Sequence, residues 1–282
     1  MALWNVSPAG YRISSDLRYT GKPESGTAPP FIVPNREARE KVYPLLGNKI
    51  LHRNFAALNC DNEKDILKFA NKYGLLGHTL ILSQPPRSPV IMGESLSVWR
   101  ELNTKLGTLL PIWDMVKNED AGKLGKYVIW SNPDSVMMSF CIKRDGNRNI
   151  LTSGGRKPTK LGEAATIQLL ADRNVNPHLL NRWRRGDVIE PALFYICNEV
   201  NKKLDTKFSF RILPFSNNEI YTMPTTLESA MWLLFAREIS GKTDSAVCPA
   251  CGDWFERHDA REIFCSKACK QKTYRIRKGE KK

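Results

Sequence analysis

The chain has 282 residues, 41% hydrophobic and 26% charged, with a formal net charge of +14. The hydrophobic and charged fractions are ordinary for a soluble globular protein, the basic excess favours an anionic partner, and the length suffices for one large domain or two smaller ones whose core needs no disulfide staples. The longest nearly unbroken apolar stretch, Ala230 to Ala236, is far short of the roughly 20 residues that span a bilayer, which excludes a membrane-crossing helix.

Residues 1–35 are broken by Pro, Gly, Ser and Thr without periodicity and read as an irregular segment. Residues 36–241 read as one mainly helical domain. Arg36 to Leu46 is a short helix candidate, disturbed by Pro44. Asn62 to Tyr73 is a clean amphipathic helix: Asn62 caps it, Ile66, Phe69, Ala70 and Tyr73 share one face, and Gly74 stops it. His78 to Ser83 reads as a strand. Ser95 to Asp114 has helical spacing, and Pro111 is expected to end or kink it. Ser135 to Lys143 alternates as a strand, Asn147 to Lys160 is a polar connection, and Leu161 to Ala171 reads as a helix. Pro177 to Arg185 and Pro191 to Leu204 are further helices, and Phe208 to Leu213 is a strand. Thr225-Thr226-Leu227-Glu228 reads as a capping box opening a helix to Ile239, apolar on nearly every side and therefore buried. The expected fold class is α+β, a predominantly α-helical domain with a few short strands, followed by a small finger over residues 242–282.

That finger carries the strongest signal. Cys248-x₂-Cys251 and Cys265-x₃-Cys269 are separated by thirteen residues. Two close pairs joined by a short loop supply four thiolates to a tetrahedral metal. Four thiolates leave no open position for water, so the expected cofactor is a structural Zn²⁺ ion. An iron–sulfur cluster, or a variant using His258, ranks below it. Trp254, Phe255, Ile263 and Phe264 are expected to give the thiolates apolar cover. Such a small unit draws much of its folding energy from the metal. With Met1 to Asn5 lacking the order of a signal peptide, the thiols are expected in a reducing cytoplasm.

The second pair begins a helix whose outer face collects cations. Between Lys267 and Lys282 there are eight basic residues and one acid. Lys267, Lys270, Arg275, Arg277 and Lys278 are expected to hold phosphates, and Tyr274 to pack on sugar or base. Residues 245–282 carry a net +5 and the remainder +9, so the basic character is not confined to the tail. A second candidate basic patch is Arg182, Trp183, Arg184 and Arg185. There Trp183 either stacks on a base or sits in the core with its neighbours solvated. Lys143, Arg144, Arg148, Arg156, Lys157 and Lys160 form another basic cluster.

The pattern Cys-x-x-Cys-Gly-x-Trp-Phe, then Arg261-x-x-Phe-Cys-Ser-x-x-Cys, then Tyr-Arg-x-Arg, resembles the C-terminal treble-clef or ribbon-like zinc finger of bacterial CGNR-type (ABATE-like) proteins. Here Lys270-Gln271-Lys272 follows the last cysteine, so the Gly-Asn-Arg signature is absent. The resemblance implies four metal positions, Cys248, Cys251, Cys265 and Cys269, and transcriptional regulation through DNA binding. The expected partner is therefore nucleic acid, DNA ahead of RNA, with a homodimer to extend a short footprint and no membrane. The alternative is a zinc-dependent module docking an acidic protein. An enzyme with its site in residues 36–240 ranks last, because no HExxH pair, GxSxG elbow or phosphate loop is found, and no catalytic residue is assigned.

Overall fold

The computed structural model describes residues 3–19, 30–35, 41–44, 46–83, 91–131, 135–145, 148–153, 164–174, 176–205, 208–212, 220–259 and 261–277. Arg156, Lys157, Lys160, Lys278 and residues 36–40 lie outside them. The chain opens with β1 (Leu3–Val6), β2 (Tyr11–Ser14), β3 (Arg18–Tyr19), β4 (Phe31–Pro34) and β5 (Lys41–Pro44). Helices α1 (Leu51–Ala56) and α2 (Glu63–Tyr73) follow, then β6 (Leu80–Ser83), β7 (Ile91–Ser95), α3 (Leu96–Lys117) and α4 (Ala121–Leu124). Next come β8 (Val128–Ser131), β9 (Ser135–Asp145), β10 (Arg148–Ser153), β11 (Ala164–Asp172), α5 (Pro177–Arg182) and α6 (Ile189–Leu204). The chain continues through β12 (Phe208–Ile212), β13 (Ile220–Pro224), α7 (Leu227–Ile239), β14 (Ser245–Val247), β15 (Trp254–Glu256) and α8 (Lys267–Arg277).

An antiparallel five-stranded sheet runs β2-β4-β7-β6-β3. In a second sheet the long β9 is central, with β8 and β10 sharing one edge and β11 along the other. The pairs β1–β5, β12–β13 and β14–β15 complete the strands. The fold is therefore α+β, but the strand content corrects the expectation of a predominantly helical domain. Residues read as irregular supply β1 to β4, and β5 replaces part of the helix expected from Arg36. The helix expected at Leu161 to Ala171 is β11. Its Ala, Leu and Gln favour a helix locally, yet Ala164 to Asp172 pairs along β9 with a register shift between Leu169 and Ala171. Cross-strand packing overrides propensity there.

The helices follow their apolar stripes. In α2, Asn62 Oδ1 accepts from Lys64 N at 3.1 Å, the four expected residues are buried, and Gly74 ends the helix at φ +86°. Helix α3 continues past Pro111 to Lys117. An internal Pro costs about 3 kcal/mol through a lost hydrogen bond and a clash with the carbonyl four residues back. Here that residue is Gly107. Burial of Leu109, Leu110, Ile112, Trp113 and Val116 offsets the cost.

The N-cap of α7 is Thr226, reciprocated by Ser229, one residue later than the expected Thr225/Glu228 pair. Glu228 instead pairs with His78 and accepts from Trp232 Nε1 at 3.1 Å. The core gathers around Phe55, Phe69 and Trp99, with Trp232 and Phe235 from α7. A smaller cluster of Leu17, Phe31, Val33 and Leu82 lies in the five-stranded sheet.

Candidate metal centre

The first cysteine pair sits in the turn of the β14–β15 hairpin, where Val247 pairs with Trp254. Gly252 N donates to Cys248 O at 2.8 Å and Cys248 N to Asp253 O at 2.9 Å, closing a tight knuckle. Gly252 has φ +77°, a conformation glycine adopts without steric cost, and it lets the chain reverse immediately after Cys251. The second pair lies at the start of α8. Ser266 Oγ accepts from Cys269 N at 3.2 Å, and Lys270 N donates to Ser266 O at 3.1 Å, so Ser266 caps the first turn. Hairpin turn and helix start face each other.

The four sulfurs lie within 4.8 Å of one another. Cys251 Sγ is 3.6 Å from Cys265 Sγ, which is 3.5 Å from Cys269 Sγ. A tetrahedral Zn²⁺ with bonds of about 2.3 Å needs sulfur–sulfur edges of about 3.8 Å. The cluster is thus compatible with a structural metal such as zinc, and a set of four soft donors suits it. His258 is not among them; its Nδ1 stands 3.8 Å from Glu256 Oε1.

The sulfurs compete for charge. Burial raises the Cys248 thiol, but the backbone around Cys265, Ala250 and Cys251 outweighs it and brings it down to about 6. Cys251 is lowered by the backbone at Asp253, yet burial and the sulfurs of Cys248, Cys265 and Cys269 push it up to about 12. A divalent cation resolves this conflict by replacing the protons.

The finger is docked on the large domain through a buried ionic cluster that has no counterpart in the sequence motifs. Glu238, near the end of α7, has a side chain 1% exposed. It pairs with Arg53 of α1, whose Nε lies 2.9 Å from Oε2. His52 Nε2 is 2.8 Å from Glu238 Oε2, and Trp113 Nε1 donates to Oε1 at 3.2 Å. Ser245, the first residue of the finger hairpin, donates its hydroxyl to Oε1 at 3.0 Å. Arg53 also reaches Asp114 at 2.7 Å and lies 3.8 Å from the ring centroid of Trp254. Burial pushes Glu238 up, but the bonds from His52 and Arg53 outweigh it and hold the carboxyl far below the usual range. His52 is lowered by burial, and its bond to Glu238 does not restore it. At the rim, Lys49 meets Glu256 at 2.6 Å, and Asp244 takes Lys117 and Arg257 at 2.5 Å each. The clue to this cluster was Glu238 itself, an acid in a helix otherwise apolar on nearly every side, which has to find a partner when buried.

The other candidate residues are dispersed. Lys267, Lys270 and Arg275 are exposed on α8, Tyr274 is 60% exposed, and Arg277 is the last residue of the helix. Trp183 is 5% exposed and packs edge-on against Phe194, so its ring belongs to the core and is not offered to a base, while Arg182, Arg184 and Arg185 are exposed. Of the apolar residues expected to cover the thiolates, Phe255 is buried, but Ile263 is 60% exposed. Among the described residues, no helix is long and apolar enough to cross a membrane. No protein-family model, curated protein or solved structure matches the chain, so the four-cysteine cluster stands on its own geometry.

Proposed function

We propose that Cys248, Cys251, Cys265 and Cys269 hold a structural Zn²⁺, and that the finger binds nucleic acid, DNA ahead of RNA, through α8 as part of a transcriptional regulator. One observation carries this reading. Lys267, Lys270, Lys272 and Arg275 are all exposed, and none forms an ion pair among the described residues. Elsewhere lysines and arginines of the chain do meet carboxylates, as at Lys49, Lys117 and Arg257. Unpaired cations on one short helix suit a polyanion, whose binding releases counterions and falls steeply with salt. The metal would fix the helix; the chemistry of recognition belongs to the side chains.

The test is anisotropy of a labelled random duplex and a matching RNA across salt, with the zinc-loaded full chain. Lys270→Ala with Arg275→Ala is expected to lower affinity for all sequences and to reduce the salt slope by about one for each phosphate no longer neutralised. Unchanged affinity and slope would sink the reading.

A second reading is a module docking an acidic protein. It is favoured by Ile263 and Ile276, which are 60% and 66% exposed on the same finger. A stoichiometric protein partner that survives nuclease treatment, together with no binding of either nucleic acid, would select it.

A further inference from the structure

Away from the finger, a cleft of about 440 Å³ opens between α3, the β9–β11 pair and α6. Small-molecule sites have this size, a mostly apolar lining and a few convergent polar groups. The apolar part is Leu109, Phe140 and Ile142. Tyr195 lines the cleft with its ring edge-on to Phe140 at 6.0 Å. The residue is only 4% exposed, yet its hydroxyl has no hydrogen-bond partner among the described residues. The hydroxyl oxygen is not sealed from solvent, so it is reached from the cleft and stands as a polar group that a guest there can meet.

The charges around it decide what kind. Glu199 is already satisfied, by Lys105 at 2.9 Å and Lys202 at 2.6 Å. Arg100 spends its Nε on the Cys60 carbonyl at 3.2 Å and has no carboxylate partner for its terminal nitrogens among the described residues. Glu101 is exposed at the rim. The groups still free to act on a guest are therefore mainly donors: the Tyr195 hydroxyl, the Arg100 guanidinium and the Gln168 amide.

We infer that this cleft binds a small organic carboxylate with an apolar body, the body against Leu109, Phe140 and Ile142 and the carboxylate toward Tyr195 and Arg100. Bidentate capture of a carboxylate is what a guanidinium does best.

The experiment uses the zinc-loaded full chain without nucleic acid, so its outcome is separate from that of the finger reading. The probes are benzoate, phenylacetate, hexanoate and octanoate, each beside its uncharged amide, followed by calorimetry and thermal shift. At least one carboxylate is expected to bind at one per chain, with its amide much weaker. Tyr195→Phe keeps the ring against Phe140 and removes only the hydroxyl. It and Arg100→Gln are each expected to weaken binding about 10-fold or more, as for a lost hydrogen bond to a charged group. Circular dichroism and zinc content establish that each variant is folded, and either variant alone suffices. Failure of all four carboxylates at millimolar concentration overturns the inference. So does an amide binding as tightly as its acid, or a folded variant binding like the parent.

Discussion

Glu238→Gln removes the charge at the centre of the cluster beneath the finger while keeping the side chain's shape. Glu238 and Arg53 have side chains 1% exposed, so neither is repaid by water when its partner is lost. Breaking a buried pair from one side costs about 3–5 kcal/mol, because the other charge is left uncompensated. Asp114 still holds one end of Arg53, but its side chain is 34% exposed and its pull is screened. The lower end, about 3 kcal/mol, is therefore expected. That is a large share of the roughly 5–15 kcal/mol that holds a domain folded. For a chain of this size it lowers Tm by about 6–12 °C. Urea unfolding of the zinc-loaded protein should show a lower midpoint at unchanged slope. The double variant Arg53→Met/Glu238→Leu removes both charges and should recover much of the loss. A single variant within about 0.5 kcal/mol of the parent, or a double variant worse than the single, would refute the account of this cluster as a buried, mutually dependent pair.

Acid should destabilise the fold from about pH 6.5 downward. Both Glu238 and His52 are lowered in the folded state, so on acidification the unfolded chain takes up their protons first and is favoured. His52 acts below about pH 6.5 and Glu238 below about 4.3, so His52→Gln should flatten the stability profile between pH 5 and 7 specifically. A slope identical to the parent's would contradict the assignment. Gly93→Ala should cost about 1–3 kcal/mol, since its methyl would meet Val33 Cγ1 at 2.5 Å and the Ile32 carbonyl oxygen at 2.7 Å between paired strands. A chemical-denaturation midpoint equal to the parent's would disprove it. Native mass spectrometry should find one zinc per chain, and Cys269→Ser should weaken its retention about 100-fold or more in a chelator competition. Full retention by the variant would remove Cys269 from the ligand set.

What could be read from the sequence was what is local. Helices α2, α6 and α7 announced themselves because an amphipathic or all-apolar stripe is complete within one turn-by-turn window. The cysteines were legible for the same reason: each pair lies within four residues, and only the closing of two pairs had to be supposed. Strands β1 and β4 are four residues each and pair with β5 and β7 across long stretches of chain; the Phe-Ile-Val of β4 favours a strand, but a run so short, set among Pro, Gly and Ser, shows no period. The same holds for β11, where a helical composition yields to a partner. The cluster under the finger is the extreme case, because Arg53 and Glu238 stand 185 positions apart. An acid in an apolar helix signals that a partner exists, but not which of many cations it is.

Ser245 gives its hydroxyl to the same carboxylate that Arg53 grips, and the Trp254 ring lies against that arginine's guanidinium. The finger is thus keyed into the large domain and is not a bead on a tether. Whatever meets α8 also meets a neighbouring surface at a set angle, and little orientational freedom remains to be given up on docking. The same keying makes the finger a poor graft. Transplanted to another scaffold it would carry its sulfurs but lose its bearing, and the host it left would be open above a bared guanidinium and carboxylate.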